Sequence, residues 1–441
     1  MTINIDLKAT QNSYYAVSAN EQPQYPKLEG DIEADVCVVG GGFAGLSSAI
    51  ELADRGYKVV VLEANHIGFG ASGRNGGQII AGLACEIDVI EKALGFDAAK
   101  QVWNMTLEAL DLVRERVKRF DIKCDLVDGF LGVSVGAKKG KSLRKWYDSM
   151  ATKYSYDTDA KWIEPAYLKD WINSPRYFNG YYDKRSGHVH PLNYCLGLAK
   201  GAASLGVQIY QNSVVNILQK GEINLLKTET GNVKAKFVVL AGNIFLSEIS
   251  PQLAPSLSKR IMPVGTYIIG TEPIDAKLVS HLIPSNAAVC DTCFALDYFR
   301  FSGGNNASSP RMIFGGRVSY RAMTPRNLTQ SMQARMTAAF PQLKNIKVEY
   351  TWGGHVDISM NRAPDFGRVA DNIYYLQGFS GHGVALTGLA GKLVAEAISG
   401  QAERLDVFSK IKHHDFPGGK LLRTPALVLG MAWYQLREKF G

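Results

Sequence analysis

Three glycines, Gly40, Gly42 and Gly45, followed by an acid at Glu63, form the pattern in this sequence that most directly implies chemistry. The residues before them, Asp35-Val36-Cys37-Val38-Val39, read as a short buried strand, and Leu46, Ile50 and Ala53 after them recur at helical spacing. Gly56 stands where that helix should stop, and the Val-rich run from Lys58 to Leu62 is a second strand ending at the acid. In such a βαβ unit the first glycine permits a tight turn and the second lets backbone approach a pyrophosphate. The third lets helix and strand pack closely, so that the helix N-terminus at Phe43 and Ala44 attracts the phosphate charge. Glu63, with Ala64 beside it, is then expected to accept hydrogen bonds from the ribose hydroxyls of a dinucleotide.

The next loop extends that chemistry. Gly68, Gly70, Gly73, Gly76 and Gly77 are interleaved with Ala71, Ser72, Arg74 and Asn75 and followed by Gln78. Backbone that can approach closely, together with hydroxyl, guanidinium and amide groups, suits wrapping a pyrophosphate and continuing toward a flat ring. On composition alone the segment also reads as a flexible loop. Other reactive residue types offer less. Cys290 and Cys293 have redox or metal-ligand spacing, but no second pair completes a four-ligand zinc site. His188 and His190 alternate as strand residues do, with no third ligand in view, so cofactor or interface packing is expected there and no metal.

These groups need a scaffold, and the rest of the chain supplies its elements. Residues 86–120 are helical by pattern, Phe130 to Val135 is a strand, and helical and irregular sequence is expected to about residue 180. Val207 to Tyr210, Val214 to Leu218 and Phe237 to Leu240 read as strands, the last apolar enough to be buried on both faces. Thr266 to Ile269, Tyr298 to Phe301 and Met312 to Phe314 suit an antiparallel layer, with a helix near Leu328 to Phe340. Ile373 to Gln377 is another strand, followed by a glycine-rich turn and an amphipathic helix from Val384 to Ile398.

The expected architecture is α/β plus α+β. A discontinuous Rossmann-like dinucleotide domain takes residues 34–100, 185–255 and 351–400, and a second domain on a mainly antiparallel sheet takes 101–184 and 256–350. A polar N-terminal arm covers 1–33, and a tail covers 401–441. In that tail Leu429, Trp433, Leu436 and Phe440 make one apolar helical face, suited to docking on the protein itself or, more weakly, on a membrane surface.

Composition agrees with a large folded globular protein. At 46% hydrophobic and 20% charged residues the chain is too apolar for disorder. The net charge of +8 arises from 49 basic residues dispersed among 41 acids, which argues against a nucleic-acid surface. There is no basic start leading into an apolar run, no apolar stretch of spanning length and no disulfide-rich pattern, so a reducing cytoplasm is the expectation.

The run from Asp35 to Gln78, the segment Gly187-His188-Val189-His190-Pro191-Leu192-Asn193, and Gly378-Phe379-Ser380-Gly381-His382-Gly383-Val384 resemble the FAD-dependent amine oxidoreductases related to D-amino acid, glycine and sarcosine oxidases. Ser13-Tyr14-Tyr15, Arg362-Ala363-Pro364 and Phe416-Pro417-Gly418-Gly419 extend the likeness over nearly the whole chain. The resemblance implies FAD, with Val214 or Val215 beside the adenine, Ala241 and Gly242 close to the pyrophosphate, and Gly378 to Val384 beside the isoalloxazine. It also implies a helix aimed at the pyrimidine edge, where its N-terminal dipole favours negative charge. The cofactor is expected to be non-covalent, because Phe314-Gly315-Gly316-Arg317 lacks the cysteine that sarcosine oxidases use as a linkage.

By the same resemblance His382 is a flavin-facing residue or a satisfied structural histidine. Tyr298, Phe299 and Trp352 are pocket wall or ordinary core. Arg300 and Arg317 either anchor a substrate carboxylate or are solvated strand arginines. The implied reaction is oxidation of a small-molecule amine, a gamma-glutamylated polyamine foremost, by hydride transfer to flavin N5. An imine forms and hydrolyses to an aldehyde, and molecular oxygen is reduced to hydrogen peroxide. Oxidation of a cyclic or D-amino acid with a quinone as acceptor, and a flavin-binding scaffold without turnover, are the alternatives.

Overall fold

A computed structural model describes residues 13–293, 295–305, 308–319 and 325–417, and divides their strands between two sheets. In the first sheet Gly30–Val39 is central, parallel to Val59–Leu62 on one side and to Gly231–Leu240 on the other. Gln208–Tyr210 and Ile373–Gln377 extend it in parallel, and Asp365–Ala370 closes one edge antiparallel. Val36 and Val38 enter one core while Cys37 and Val39 enter another, which is why this strand is a continuous apolar run and not an alternating one.

Helices Phe43–Asp54 and Phe96–Arg119 both pack against Gly383–Ile398. That last helix, expected to be amphipathic, is buried along almost its whole length because it lies between the other two. Its closest approach is at Gly391, where a Cβ would stand 2.5 Å from the Ser48 backbone nitrogen. Phe96–Arg119 therefore belongs with the first sheet's core, although residues from 101 onward were expected with the second domain. Buried Arg116 fixes this arrangement by donating to Ser47 Oγ at 2.8 Å and pairing with Glu51 at 3.0 Å.

The second sheet runs Val348–Ser359, Ile261–Thr271, Met312–Ser319, Tyr298–Phe301, Ala288–Asp291, Val127–Val135, Tyr177–His188 and Gln78–Ile79, with Ala160–Ile163 also on Tyr177–His188. Its pairings are antiparallel except between Val127–Val135 and Ala288–Asp291. Tyr177–His188 is a strand where irregular sequence was expected to about 180, since its mixture of Gly, Asn, Asp, Lys and aromatic residues hides the period of two. Residues 185–188 and 351–359 pair in this sheet and not in the first, where they were expected.

Val214 and Val215 are not strand residues. The backbone amides of Asn212 and Ser213 bond to Asn65 O and Glu63 O, which turns the chain before the short strand Ile217–Gln219. Nor is the N-terminal segment a loose arm where it is described: Gly30 already opens the central strand, and Tyr15 is fully buried. Among the described residues no helix is long and apolar enough to cross a membrane. The apolar face proposed at Leu429, Trp433, Leu436 and Phe440 lies outside the described residues.

Candidate active site

Three adjacent parallel strands end in register, Val39 opposite both Leu62 and Leu240, so the residues that follow them, Gly40, Glu63 and Ala241, share one edge of the first sheet. This is the carboxyl edge at which open α/β sheets bind ligands. A channel there is lined by Gly40, Gly42, Phe43, Ala44, Glu63, Ala64, Gly70, Ala71, Ser72, Asn75, Val215, Ala241, Gly242, Phe379, Gly381, Gly383 and Val384. Gly40 has φ +116°, and a Cβ on it would lie 2.7 Å from Ala241 O. At Gly45, which packs behind the channel, a Cβ would lie 1.9 Å from Gly40 O. The turn and the close helix therefore require residues without side chains.

The channel fits an anionic dinucleotide. Helices Phe43–Asp54 and Gly383–Ile398 both begin on it without a side-chain cap from the preceding residue, so amide groups and two positive dipole ends converge there. Ser72 Oγ accepts from Phe43 N–H at 2.9 Å and ties the second glycine loop to the first helix. Glu63 Oε2 accepts from Gly41 N at 2.7 Å, and Oε1 accepts from Asn65 N at 2.8 Å. Burial raises the pKa of this carboxyl, with the backbone amides opposing the shift. A carboxylate so held keeps lone pairs for hydroxyl donors. Glu63→Gln is expected to weaken FAD binding by about 1.5–3 kcal/mol, the worth of a hydrogen bond to a charged group. Titration of the apoprotein with FAD checks this, and unchanged affinity in a folded variant would remove Glu63 from the ribose site.

Beside the channel lies a larger cavity of about 760 Å³. The two share Ala71, Asn75, His355, Val356, Gly381 and Val384, so they adjoin. Arg74, Gly76 and Gln78 line the cavity, as do Ser380, His382 and Tyr298. The loop that carries the first three is self-bonded: Asn75 Nδ2 donates to Ala71 O and Ser72 O at 2.9 and 3.0 Å, and Asn75 Oδ1 accepts from Gly77 N at 2.7 Å. Trp352 Nε1 donates to Arg74 O at 3.0 Å and fastens the loop to the second sheet. Trp352 and Phe299 are both core residues, 1% exposed, and neither lines the cavity.

The arginines expected to anchor a carboxylate are placed otherwise. Arg300, 2% exposed, donates to Gly76 O at 2.9 Å, to Phe301 O at 3.1 Å and to Tyr15 Oη at 3.1 Å. Its fork is consumed in joining the N-terminal segment, the glycine loop and its own strand. Arg317 turns toward helix Leu328–Ala339, donating to Asn327 Oδ1 at 3.1 Å and to Ser331 Oγ. Neither guanidinium reaches the cavity lining, which at that strand is made by Gly316 and Val318. Val214, Gly77 and Gly378 also stand off both spaces.

Asp357 is the clearest residue that sequence reasoning missed. Its carboxylate lines the channel and accepts from Gly378 N and from Phe379 N, the latter at 3.1 Å, so it holds the glycine-rich turn before the Gly383–Ile398 helix. Burial pushes its pKa up to about 6 against those same amides. An acid inside a mostly uncharged strand was the one available signal. Asn65 and Ser213 from turns, Phe245 from helix Asn243–Ile249 and His355 from strand Val348–Ser359 line the channel as well, none within a motif.

The remaining reactive types have local duties. His188 Nε2 donates to Asn286 O at 2.9 Å, and His190 Nδ1 accepts from Asn193 N at 3.1 Å as the cap of helix Pro191–Ser204. Burial pushes the pKa of both histidines down to about 3. Cys290 Sγ faces Gln78 Oε1 at 3.6 Å on the cavity wall, while Cys293 lies 3.8 Å from Arg176. No cysteine lines the channel among the described residues.

Residues 35–397 match the family model described as FAD dependent oxidoreductase. The chain is 41% identical to the gamma-glutamylputrescine oxidoreductase of Escherichia coli over 98% of its own length and 99% of that protein. It is 39% identical to a probable oxidoreductase of Haemophilus influenzae over 99% of its length and all of that protein. Among solved structures, glycine oxidase from Geobacillus kaustophilus shares the fold with a TM-score of 0.68 at 19% identity, covering 83% of this chain and 95% of that one. This chain belongs to the FAD dependent oxidoreductase family and is a flavoenzyme.

Proposed function

We propose that the enzyme oxidises the terminal amine of gamma-glutamylputrescine, with FAD held non-covalently in the channel and the substrate in the adjoining cavity. The cavity carries the reading. Its volume of about 760 Å³ falls within the ~300–1,000 Å³ of sites for extended organic ligands. Its lining is largely apolar, and its charged members among the described residues are Arg74 and Arg362, with no carboxylate. An incoming ammonium finds no counter-ion there, so desolvation favours the neutral amine that can release hydride. Full-length likeness to the Escherichia coli enzyme supports the identity of the substrate.

Bound FAD supplies the hydride acceptor. The chain's own residues orient the amine and keep water out. Tyr298 keeps its proton, because burial raises its pKa, and its hydroxyl bonds to Thr266. Its ring occupies the space over Gly315, where a Cβ would come within 2.0 Å of it. His382 Nε2–H donates to Ile80 O and Ala81 O, both at 3.2 Å, and burial lowers its pKa. A neutral imidazole bonded in this way clamps the glycine turn to the opposite wall and accepts no proton at Nε2. The substrate imine leaves the cavity for water, where it hydrolyses to the aldehyde.

Two measurements test the scheme. In air, gamma-glutamylputrescine should drive oxygen uptake with matching hydrogen peroxide and aldehyde. Turnover with an electron-accepting dye and no oxygen uptake would replace oxygen by a quinone-type acceptor. Acid or heat should release all of the yellow chromophore, and flavin fluorescence that stays with the protein band on a denaturing gel would reveal a covalent link, with Cys290 then the cysteine to examine.

A further inference from the structure

We propose that Arg362 is the receptor for the carboxylate at the far end of the substrate, the group that fixes how deep the reacting amine enters; this rests on the functional reading above. Arg362 and Arg74 are the two charged residues among those described on the cavity wall. They differ in setting. Arg74 is half-buried, stacks on the Phe69 ring at 4.7 Å and has its pKa lowered to about 10 by burial. Phe69 lines the cofactor channel, so that guanidinium belongs to the dinucleotide's end of the space.

Arg362 is exposed, next to Met360, which is 47% exposed and also on the lining, so the pair forms an outer rim. Its guanidinium has no hydrogen bond or ion pair among the described residues, in contrast to Arg300 and Arg317. Glu86, Cys85 and His382 lie near enough to feel its charge, and among the described residues none of them is hydrogen-bonded or ion-paired to it. The backbone presents the side chain from a tight turn between Val348–Ser359 and Asp365–Ala370, in the left-handed region at φ +59°. Arg362 N donates to Ser359 O at 3.1 Å, and Ala363 N donates to Asn361 Oδ1 at 3.1 Å, which hold the turn. A planar donor fork left unpaired on the rim of an apolar cavity without carboxylates matches a ligand with a carboxylate at one end and a neutral amine at the other. A free diamine offers the rim only positive charge.

The test pairs Arg362→Gln with two substrates that differ only in the head group, gamma-glutamylputrescine and N-acetylputrescine. The expected result is a KM for gamma-glutamylputrescine raised about 10- to 100-fold with kcat changed by less than about threefold, and a far smaller change for N-acetylputrescine. Arg362→Lys should recover part of the loss. Equal losses on both substrates, or no loss on either, would overturn the assignment. FAD content and melting temperature establish that the variants are folded and loaded. Binding is read independently by titrating gamma-glutamylpropylamide, which has the head but no oxidisable amine, into the flavin spectrum. If the wild type oxidises neither substrate, the functional reading fails, and an unchanged dissociation constant for gamma-glutamylpropylamide in Arg362→Gln would overturn the receptor on its own.

Discussion

Gly45→Ala is expected to yield a protein purified without flavin, with affinity for added FAD lowered more than about a hundredfold. The new Cβ would stand 1.9 Å from Gly40 O and 3.2 Å from a Val38 methyl. The nearer obstacle is a backbone carbonyl in a turn at φ +116°, so no flexible side chain can yield. Helix Phe43–Asp54 must instead lift away from its strand, at a cost at or above the ~1–3 kcal/mol of ordinary overpacking. Its first amides then leave the channel edge, where the phosphate charge needs them. Circular dichroism checks the fold, and FAD titration reads the effect. A folded Gly45→Ala protein with wild-type FAD affinity would refute the close-approach account of this turn.

The second large effect is on pH. A primary alkyl amine with a pKa near ~10.4 is mostly protonated at neutral pH, and its neutral fraction grows about tenfold for each pH unit below that value. If the cavity admits only the neutral form, kcat/KM should rise about a hundredfold between pH 7 and 9. The protein's own groups leave that window clear. Burial lowers the pKa of His382 and of His355, so both are already neutral, and it raises that of Tyr298, which stays protonated. Asp357, pushed up to about 6, is ionised by pH 7 and holds the glycine turn throughout. A flat kcat/KM profile from pH 7 to 9 would mean that the ammonium form binds productively, and would call for an acid near the amine.

The channel half of the candidate site was legible because the spacing that brings its residues together is local. Gly40, Gly42, Gly45 and Glu63 lie within one βαβ unit, and short-range spacing dictates how they meet. The substrate half was not, because it depends on which way strand residues face. Tyr298 and Arg300 are two apart on Tyr298–Phe301, yet Tyr298 faces the cavity while the long Arg300 side chain reaches Tyr15, 285 positions away in sequence. Arg317 sits between Gly316 and Val318, which line the cavity, and is itself turned outward to a helix. Arg362 could be recognised only once the wall was assembled, since an arginine in a turn has no periodicity. Asp357 illustrates the same limit, as its partners Gly378 and Phe379 come from a different segment. Domain boundaries were misjudged where one strand changes company: Val348–Ser359 leads directly into the first sheet's edge strand but pairs with Ile261–Thr271 in the second.

The most direct test of the whole account is anaerobic mixing of the loaded enzyme with single candidate substrates while the visible flavin band is followed. Gamma-glutamylputrescine should bleach the band at a rate at least as fast as turnover. Putrescine, which lacks the carboxylate, and D-amino or cyclic amino acids, which lack the distant head group, should bleach it far more slowly. Rapid bleaching by a D-amino acid or a cyclic amino acid, with none by gamma-glutamylputrescine, would contradict the assignment of the cavity to a long, carboxylate-tailed amine.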